Sequence, residues 1–155
     1  MDRSADAVSP DLPPARLLAQ RLIDLSRRPA NAGMTRAAAA ALAGERLHQA
    51  LSRWIGIEGC HALFSRARAE EQVGNPPLVV LLLRARSAPY IEGVAESVAE
   101  YGETSTANAI EAMLVSIIDV LGRLIGVDMA TNLIERSLRE SASDDAGQDK
   151  RRAQA

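Results

Sequence analysis

The stretch Leu51–Ala67 reads LSRWIGIEGCHALFSRA, and a related stretch, Leu121–Ser137, reads LGRLIGVDMATNLIERS. Six of the 17 aligned positions are identical, where roughly one match is expected by chance, and similarity at a fixed offset indicates an internal repeat. Each copy holds a glycine, Gly56 or Gly126, between large apolar residues. A glycine between two helical patterns is typical of a helix end. The repeat therefore predicts two helical hairpins that turn at these glycines.

The pattern around Gly56 predicts how the first hairpin is built. Thr35 is a candidate N-cap for a long helix through an alanine-rich segment, residues 37–41. Gly56 is expected in the left-handed conformation, with Ile57 packed back on the last turn. A shorter helix with a buried stripe then follows. Apolar residues expected to be buried in this hairpin are Leu42, Leu47, Ala50, Leu51, Trp54, Ile55, Ile57, Cys60, Leu63, Phe64 and Ala67.

The second copy repeats this arrangement. Ser105 takes the place of the N-cap Thr35, and Asp128 opens the last helix. The long helix between them has the most apolar pattern of the chain, so it is expected to be central. Its apolar face includes Ile110, Met113, Leu114, Ile117, Ile118, Leu121, Leu124 and Ile125, and the last helix buries Ala130, Leu133, Ile134 and Leu138.

Outside the repeats, the pattern is less regular. Residues 1–12 and 141–155 are polar without periodicity and are predicted to be disordered, whereas a first helix is expected from residue 13 to about residue 28. The apolar run Leu78–Arg86 fits a short helix or a buried strand, and we favour the helix because a single strand would have no partner. Another helix is expected to start at Ser87-Ala88-Pro89 and to continue to Gly102.

These patterns define the expected fold. We predict an all-α protein of about six helices, in which two pseudo-symmetric hairpin repeats (35–68 and 105–138) pack as one bundle within a single domain, residues 13–140. Packing one hairpin on the other would bury apolar faces that neither could bury alone.

Composition restricts the function. Apolar residues make up 47% of the chain but aromatic residues only 3%, which leaves few rings to line a ligand pocket. The formal net charge is −2, so no global positive field attracts nucleic acid or an anionic membrane. The longest apolar run is far shorter than the ~20 residues that span a bilayer. The single cysteine, Cys60, excludes an internal disulfide, consistent with a reducing, bacterial-type cytoplasm.

Two Glu-x-x-His pairs, Glu45/His48 and Glu58/His61, are candidate metal ligands. A carboxylate and an imidazole at this spacing share a helix face, as in di-metal helical bundles. The aligned positions of the second copy hold no such set, and Glu58 also suits a helix start. A metal-binding protein or enzyme is therefore an alternative to the main interpretation.

Other chemistry is weaker. Cys60 and His61 are neighbours on a helix and point about 100° apart, so they do not form a nucleophilic pair, and Cys60 is read as a core residue. The helix–Gly–helix units resemble a helix-turn-helix in outline, but Glu58 and Asp128 begin the helices that would enter the groove. A DNA-binding regulator is therefore a second alternative.

Charged residues recur at fixed places. Four arginines, Arg53, Arg123, Arg66 and Arg136, occupy matching positions in the two copies. Arg53 and Arg123 fall in the last turn of a helix, where a cation suits the dipole. An acidic strip of Glu92, Glu96 and Glu100 is expected on one helix face.

The sequence contains no phosphate-binding loop, catalytic triad or cysteine-rich zinc motif, so we predict no catalytic residues and no cofactor. The expected function is that of a non-enzymatic interaction or regulatory module that acts through protein–protein contacts. The partner is another protein or a second copy, and the alanine-rich segment 37–43 is a candidate dimer surface.

Overall fold

A computed structural model of the chain describes residues 14–27, 33–87, 89–136 and 139. Within these ranges the protein is an all-α bundle, as expected: six helical segments pack around one core, and the strands are two of two residues each. No helix among the described residues has both the length and the apolar character to cross a membrane. The predicted disorder of residues 1–12 and 141–155 falls outside the described ranges.

The elements follow the chain in a simple order. The helices are α1 (Pro14–Ser26), α2 (Arg36–Glu71), α3 (Pro77–Val80), α4 (Val94–Tyr101), α5 (Glu103–Ile125) and α6 (127–136). The strands β1 (Leu82–Leu83) and β2 (Ile91–Glu92) lie between α3 and α4. Non-helical backbone at Gly56 divides α2 into a first arm (36–55) and a second arm (57–71).

The helix starts are only partly as predicted. Thr35 is the N-cap of α2, since its hydroxyl accepts a hydrogen bond from the Ala38 amide at 3.1 Å. The prediction for Ser105 was wrong, because α5 already begins at Glu103. The Glu103 carboxylate instead accepts a 2.6 Å hydrogen bond from the Ala37 amide. A carboxylate of α5 thus satisfies a free amide at the start of α2.

The segment between α3 and α4 corrects the sequence interpretation. β1 pairs with β2 in an antiparallel hairpin, with Leu82 opposite Glu92 and Leu83 opposite Ile91. The objection that a strand here has no partner was therefore wrong, and the helix predicted from Ser87 begins only at Val94. Strands of two residues are too short to show an alternating pattern.

The core lies between the first arm of α2 and α5. Alanines 37, 39, 40, 41 and 43 are buried, so they pack inside the protein and are not available as a dimer surface. A Cβ at Gly44 would lie 2.6 Å from Ile91 Cδ1 and 3.6 Å from Leu114 Cδ2, which shows how closely the elements approach. Small residues on the first arm therefore accommodate the large aliphatic side chains of α5.

The first arm and α5 run side by side in the same direction. Near their starts, Arg36 Nη1 donates to Asn108 Oδ1 at 3.0 Å. Two turns further along, Gly44 faces Leu114. Contacts that advance in the same direction along both helices define a parallel pair. At the far end of this pair, the second arm of α2 and α6 turn back along the bundle.

Candidate functional site

The two glycines where the helices turn have closely related backbone geometry. Gly56 has φ 82° and ψ 161°, and Gly126 has φ 94° and ψ 144°. Both have positive φ as expected, but the extended ψ differs from the left-handed helical conformation that we predicted. This region of backbone space is essentially restricted to glycine. We call residues 53–59 the first Gly turn and residues 123–129 the second Gly turn.

Burial follows the same course through both Gly turns. Residues 51–60 read one buried, one intermediate, seven exposed and one buried, and residues 121–130 read the same. Leu51 and Leu121 are the last buried residues before the turns, and Cys60 and Ala130 are the first buried residues after them. The two turns thus resemble each other locally, while an internal repeat of the whole hairpins about a pseudo-two-fold axis stays a prediction.

Large apolar side chains project from both Gly turns. Twelve large hydrophobic residues are exposed within the described ranges, and seven of them belong to these two turns. Their exposed fractions reach 62% for Trp54 and 71% for Leu124. The prediction that the apolar residues beside the glycines are buried was therefore wrong. The seven are Trp54, Ile55, Ile57, Leu124, Ile125, Val127 and Met129.

Both Gly turns lie at one end of the bundle. Gly44 and Leu114 face each other, and each is 12 residues before a glycine, Gly56 or Gly126. Along parallel helices, 12 residues rise by about 18 Å in both cases. We call this end, with its seven exposed apolar side chains, the apolar end. Exposed groups of large apolar residues on this scale are typical of interaction sites.

The charged residues of the apolar end are of both signs. Arg123 forms a 2.6 Å ion pair with Asp119, one turn earlier on α5, and Glu58 pairs with Arg86 at 3.4 Å. Arg123 and Glu58 therefore each pair with a residue outside the other Gly turn, and these two ion pairs do not connect the turns. These pairs are exposed, so they contribute little to stability.

An apolar cavity opens beside the second Gly turn. It has a volume of about 80 Å³ and lies between α1, α5 and α6. Its lining includes Leu18, Ile118, Gly122, Val127 and Ala130. The apolar lining suits a small apolar group of a ligand or of another protein.

A second cavity, of about 270 Å³, lies between α1, the second arm of α2 and α5. Arg16 and Arg123 line it together with Glu70, Glu71 and Asp119. Charges of both signs alternate there, so the cavity does not present the uniform field that would select a charged ligand.

A separate cluster of rings fills the hairpin of α2. The imidazole of His48 stacks on the ring of Tyr90, with centroids 3.8 Å apart and planes at 18°. Phe64 meets both rings edge to face. The Tyr90 hydroxyl forms a 3.0 Å hydrogen bond with Nδ1 of His61. Tyr90, which lies just before β2, therefore connects the β1–β2 hairpin to α2.

Burial sets the protonation of this cluster. It lowers the pKa of His48 below the ordinary 6.5, and the nearby His61 acts in the same direction. It raises the pKa of Tyr90, and it raises the pKa of Glu45, which the Tyr90 amide opposes. These shifts favour the uncharged forms of His48, Tyr90 and Glu45. Nε2 of His48 has no hydrogen-bond partner among the described residues.

Cys60 occupies the core position that the sequence predicted. Its side chain is buried, and its thiol donates a 3.5 Å hydrogen bond to the carbonyl of His48. Burial raises its pKa above the ordinary 9.0, although the nearby Ser52 side chain acts in the opposite direction. A buried thiol with a raised pKa is a poor nucleophile.

The structure does not arrange the four candidate metal ligands as one metal site. His48 and His61 flank Tyr90, whereas Glu58 is 86% exposed and pairs with Arg86. Within the described ranges, no group of three or more His, Cys, Asp or Glu side chains is arranged to hold a metal ion.

Among the remaining charged candidates, Arg66 and Glu92 form ion pairs. Arg66 pairs with Glu70 one turn later, and Arg136 is exposed near the end of α6. The predicted acidic strip does not lie on one helix, because Glu92 belongs to β2 and pairs with Arg84. Glu96 and Glu100 remain on α4.

Comparison of the chain with protein-family models, with curated proteins and with solved structures found no match. The apolar end, for which the geometry is described above, is therefore the feature on which a functional proposal rests.

Proposed function

We propose that this protein is a non-enzymatic interaction module that binds another protein through its apolar end. The observation that carries the proposal is that seven large apolar side chains project from two Gly turns at the same end of the bundle. The five other exposed large hydrophobics of the described residues are spread over α1, the loop after α2, α3, β1 and α4. Apolar residues that cluster on a surface gain free energy when a partner removes them from water.

The shape of the turns supports binding rather than catalysis. Each Gly turn ends one helix and starts the next, so its apolar residues are held by two helices and not by a long loop. A rigid apolar surface loses little conformational entropy on association. His48 and Tyr90, the stacked pair of the ring cluster, are buried.

Site-specific photo-crosslinking in the source cells tests the proposal. A photoreactive phenylalanine analogue replaces Trp54 or Leu124, and matched controls carry it at Val73 or Val79, which are 87% and 59% exposed outside the apolar end. We expect discrete protein adducts from positions 54 and 124 and none from positions 73 and 79. Equal adduct formation at all four positions, or none at 54 and 124, would contradict the proposal.

A further inference from the structure

The apolar end holds both halves of a complementary contact. Trp54 projects from the first Gly turn with 62% of its surface exposed. Beside the second Gly turn, the cavity between Ile118, Gly122 and Val127 is open and apolar. The cavity has a volume of about 80 Å³, roughly half of the ~150 Å³ that encloses a benzene ring, and it is open to solvent, so it can receive one edge of an indole. A projecting ring and an apolar cavity on the same end fit a surface that binds a copy of itself.

Resting on the proposed function, we infer that the partner is a second copy of this chain. The two copies meet end to end about a two-fold axis, with one edge of each Trp54 indole in the cavity beside the second Gly turn of the other. A two-fold axis makes this contact twice and leaves neither a Trp54 nor a cavity unfilled. The assembly therefore closes at two copies instead of continuing into a filament.

The exposed apolar area matches what a stable dimer buries. If a free side chain of this size presents about 200 Å², the seven residues of the apolar end expose on the order of 700 Å². Stable complexes bury ~800 Å² on each partner, and permanent homodimers have the more apolar interfaces. The polar surface around the seven residues would supply the remaining area.

Charge at the apolar end favours a copy of the chain over a nucleic acid or an anionic lipid surface. The charged side chains of the two Gly turns are two arginines and two carboxylates, so they sum to zero. They are Arg53, Glu58, Arg123 and Asp128. A neutral, mixed-sign rim around an apolar centre suits protein association, whereas polyanions require an excess of positive charge.

Sedimentation equilibrium of the purified full chain over a range of concentrations tests the inference. We expect a concentration-dependent approach to twice the 16.6 kDa chain mass. Trp54→Ser should raise the dimer Kd at least about 30-fold, as expected for a buried aromatic anchor. Val73→Ser removes an exposed apolar side chain outside the apolar end and should leave the Kd unchanged.

Closing the cavity gives an independent variant. A Cβ at Gly122 would lie 3.6 Å from Val127 Cγ2, an ordinary contact, so Gly122→Leu adds a side chain at the cavity without a backbone clash. This variant should also lose dimerisation while keeping the helical circular dichroism of the wild type. A mixture of Trp54→Ser and Gly122→Leu chains can form one of the two Trp–cavity contacts. We therefore expect the mixture to dimerise more tightly than either variant alone.

The outcomes separate the inference from the proposed function. A chain that stays monomeric, a dimer unaffected by Trp54→Ser, or a variant mixture with no gain overturns the inference. Adducts of position 54 with a different protein would then still support the proposed function, whereas the absence of adducts removes both. Flotation of monomeric protein with neutral phosphatidylcholine vesicles, abolished by Trp54→Ser, would also overturn both, because lipid would cover the apolar end.

Discussion

Gly56 and Gly126 lie 70 residues apart but hold nearly the same backbone conformation, with φ of 82° and 94° and ψ of 161° and 144°. Each lies 12 residues beyond one member of the Gly44–Leu114 contact, at the same end of two parallel helices. This relationship brings two apolar sequences, far apart in the chain, onto one surface. The apolar end depends on both turns keeping their shape.

Replacing either turn glycine by alanine should destabilise the protein. Nothing lies within 4 Å of a Cβ at Gly56 or Gly126, so the cost arises from the positive φ and not from a clash. We expect the free energy of unfolding in urea to fall by about 1–3 kcal/mol for Gly56→Ala or Gly126→Ala. Gly122→Ala, inside α5, is the control and should be neutral or stabilising by up to ~1 kcal/mol. Unchanged stability of both turn variants would contradict the backbone assignment.

Tyr90 should be a key residue for stability. Tyr90→Ala removes a ring that contacts His48, His61 and Phe64, and cavities of this kind cost about 3–5 kcal/mol. Tyr90→Phe removes only the hydrogen bond to His61 and should cost about 0.5–1.5 kcal/mol. Tyr101→Phe, at a half-exposed position, is the matched control and should have no measurable effect. Chemical denaturation measures all three, and a neutral Tyr90→Ala would contradict the packing described.

Stability should fall as the pH decreases below the ordinary pKa of histidine. The pKa of His48 lies below 6.5 in the folded protein, so below pH 6.5 the unfolded chain binds more protons than the folded one. The free energy of unfolding therefore decreases as the pH falls through this window. Glu45, whose pKa is raised from 4.5, has the opposite sign at lower pH.

Urea unfolding of the wild type and of His48→Leu between about pH 7.5 and pH 5.5 isolates this contribution. The variant should lose less stability over the window than the wild type, while His61→Gln serves as the control for the neighbouring imidazole. An identical pH dependence for wild type and His48→Leu would show that His48 titrates normally in the folded protein.

A partly buried ion pair and an exposed ion pair should contribute different amounts to the free energy of unfolding. Arg36 pairs with Glu111 and also bonds Asn108, and the Glu111 side chain is only 13% exposed. Arg36→Ala leaves that carboxylate partly buried, so we expect a loss of about 1.5–3 kcal/mol. Arg66→Ala breaks an exposed pair within one helix and should cost no more than about 0.5 kcal/mol. Comparable losses in thermal unfolding would contradict the contrast.

The sequence predicts the helices and the turns well because both have local causes. Helical spacing of Ile110, Met113 and Ile117 identifies the buried face of α5, and all three are fully buried. The repeat likewise locates the turns at Gly56 and Gly126 without knowledge of the packing. These features depend on neighbours within one or two helical turns.

The sequence does not predict features that depend on how far the helices extend along the bundle or on long-range contacts. Helical periodicity shows which way Trp54 and Leu124 face, but not that the helices extend beyond their packing partners at this end. Tyr90 is missed because it lies outside any periodic segment and acts through long-range contacts with His48 and His61.

Trp54 is the only tryptophan, so its fluorescence reports on the apolar end directly. The most direct measurement is acrylamide quenching of this fluorescence in the full chain, alone at low concentration and with its partner bound. We predict strong quenching and red-shifted emission in the free protein, and protection with a blue shift in the complex, including the dimer at high concentration. A Trp54 that is equally quenched in the free and the bound protein would contradict a role of the apolar end in binding.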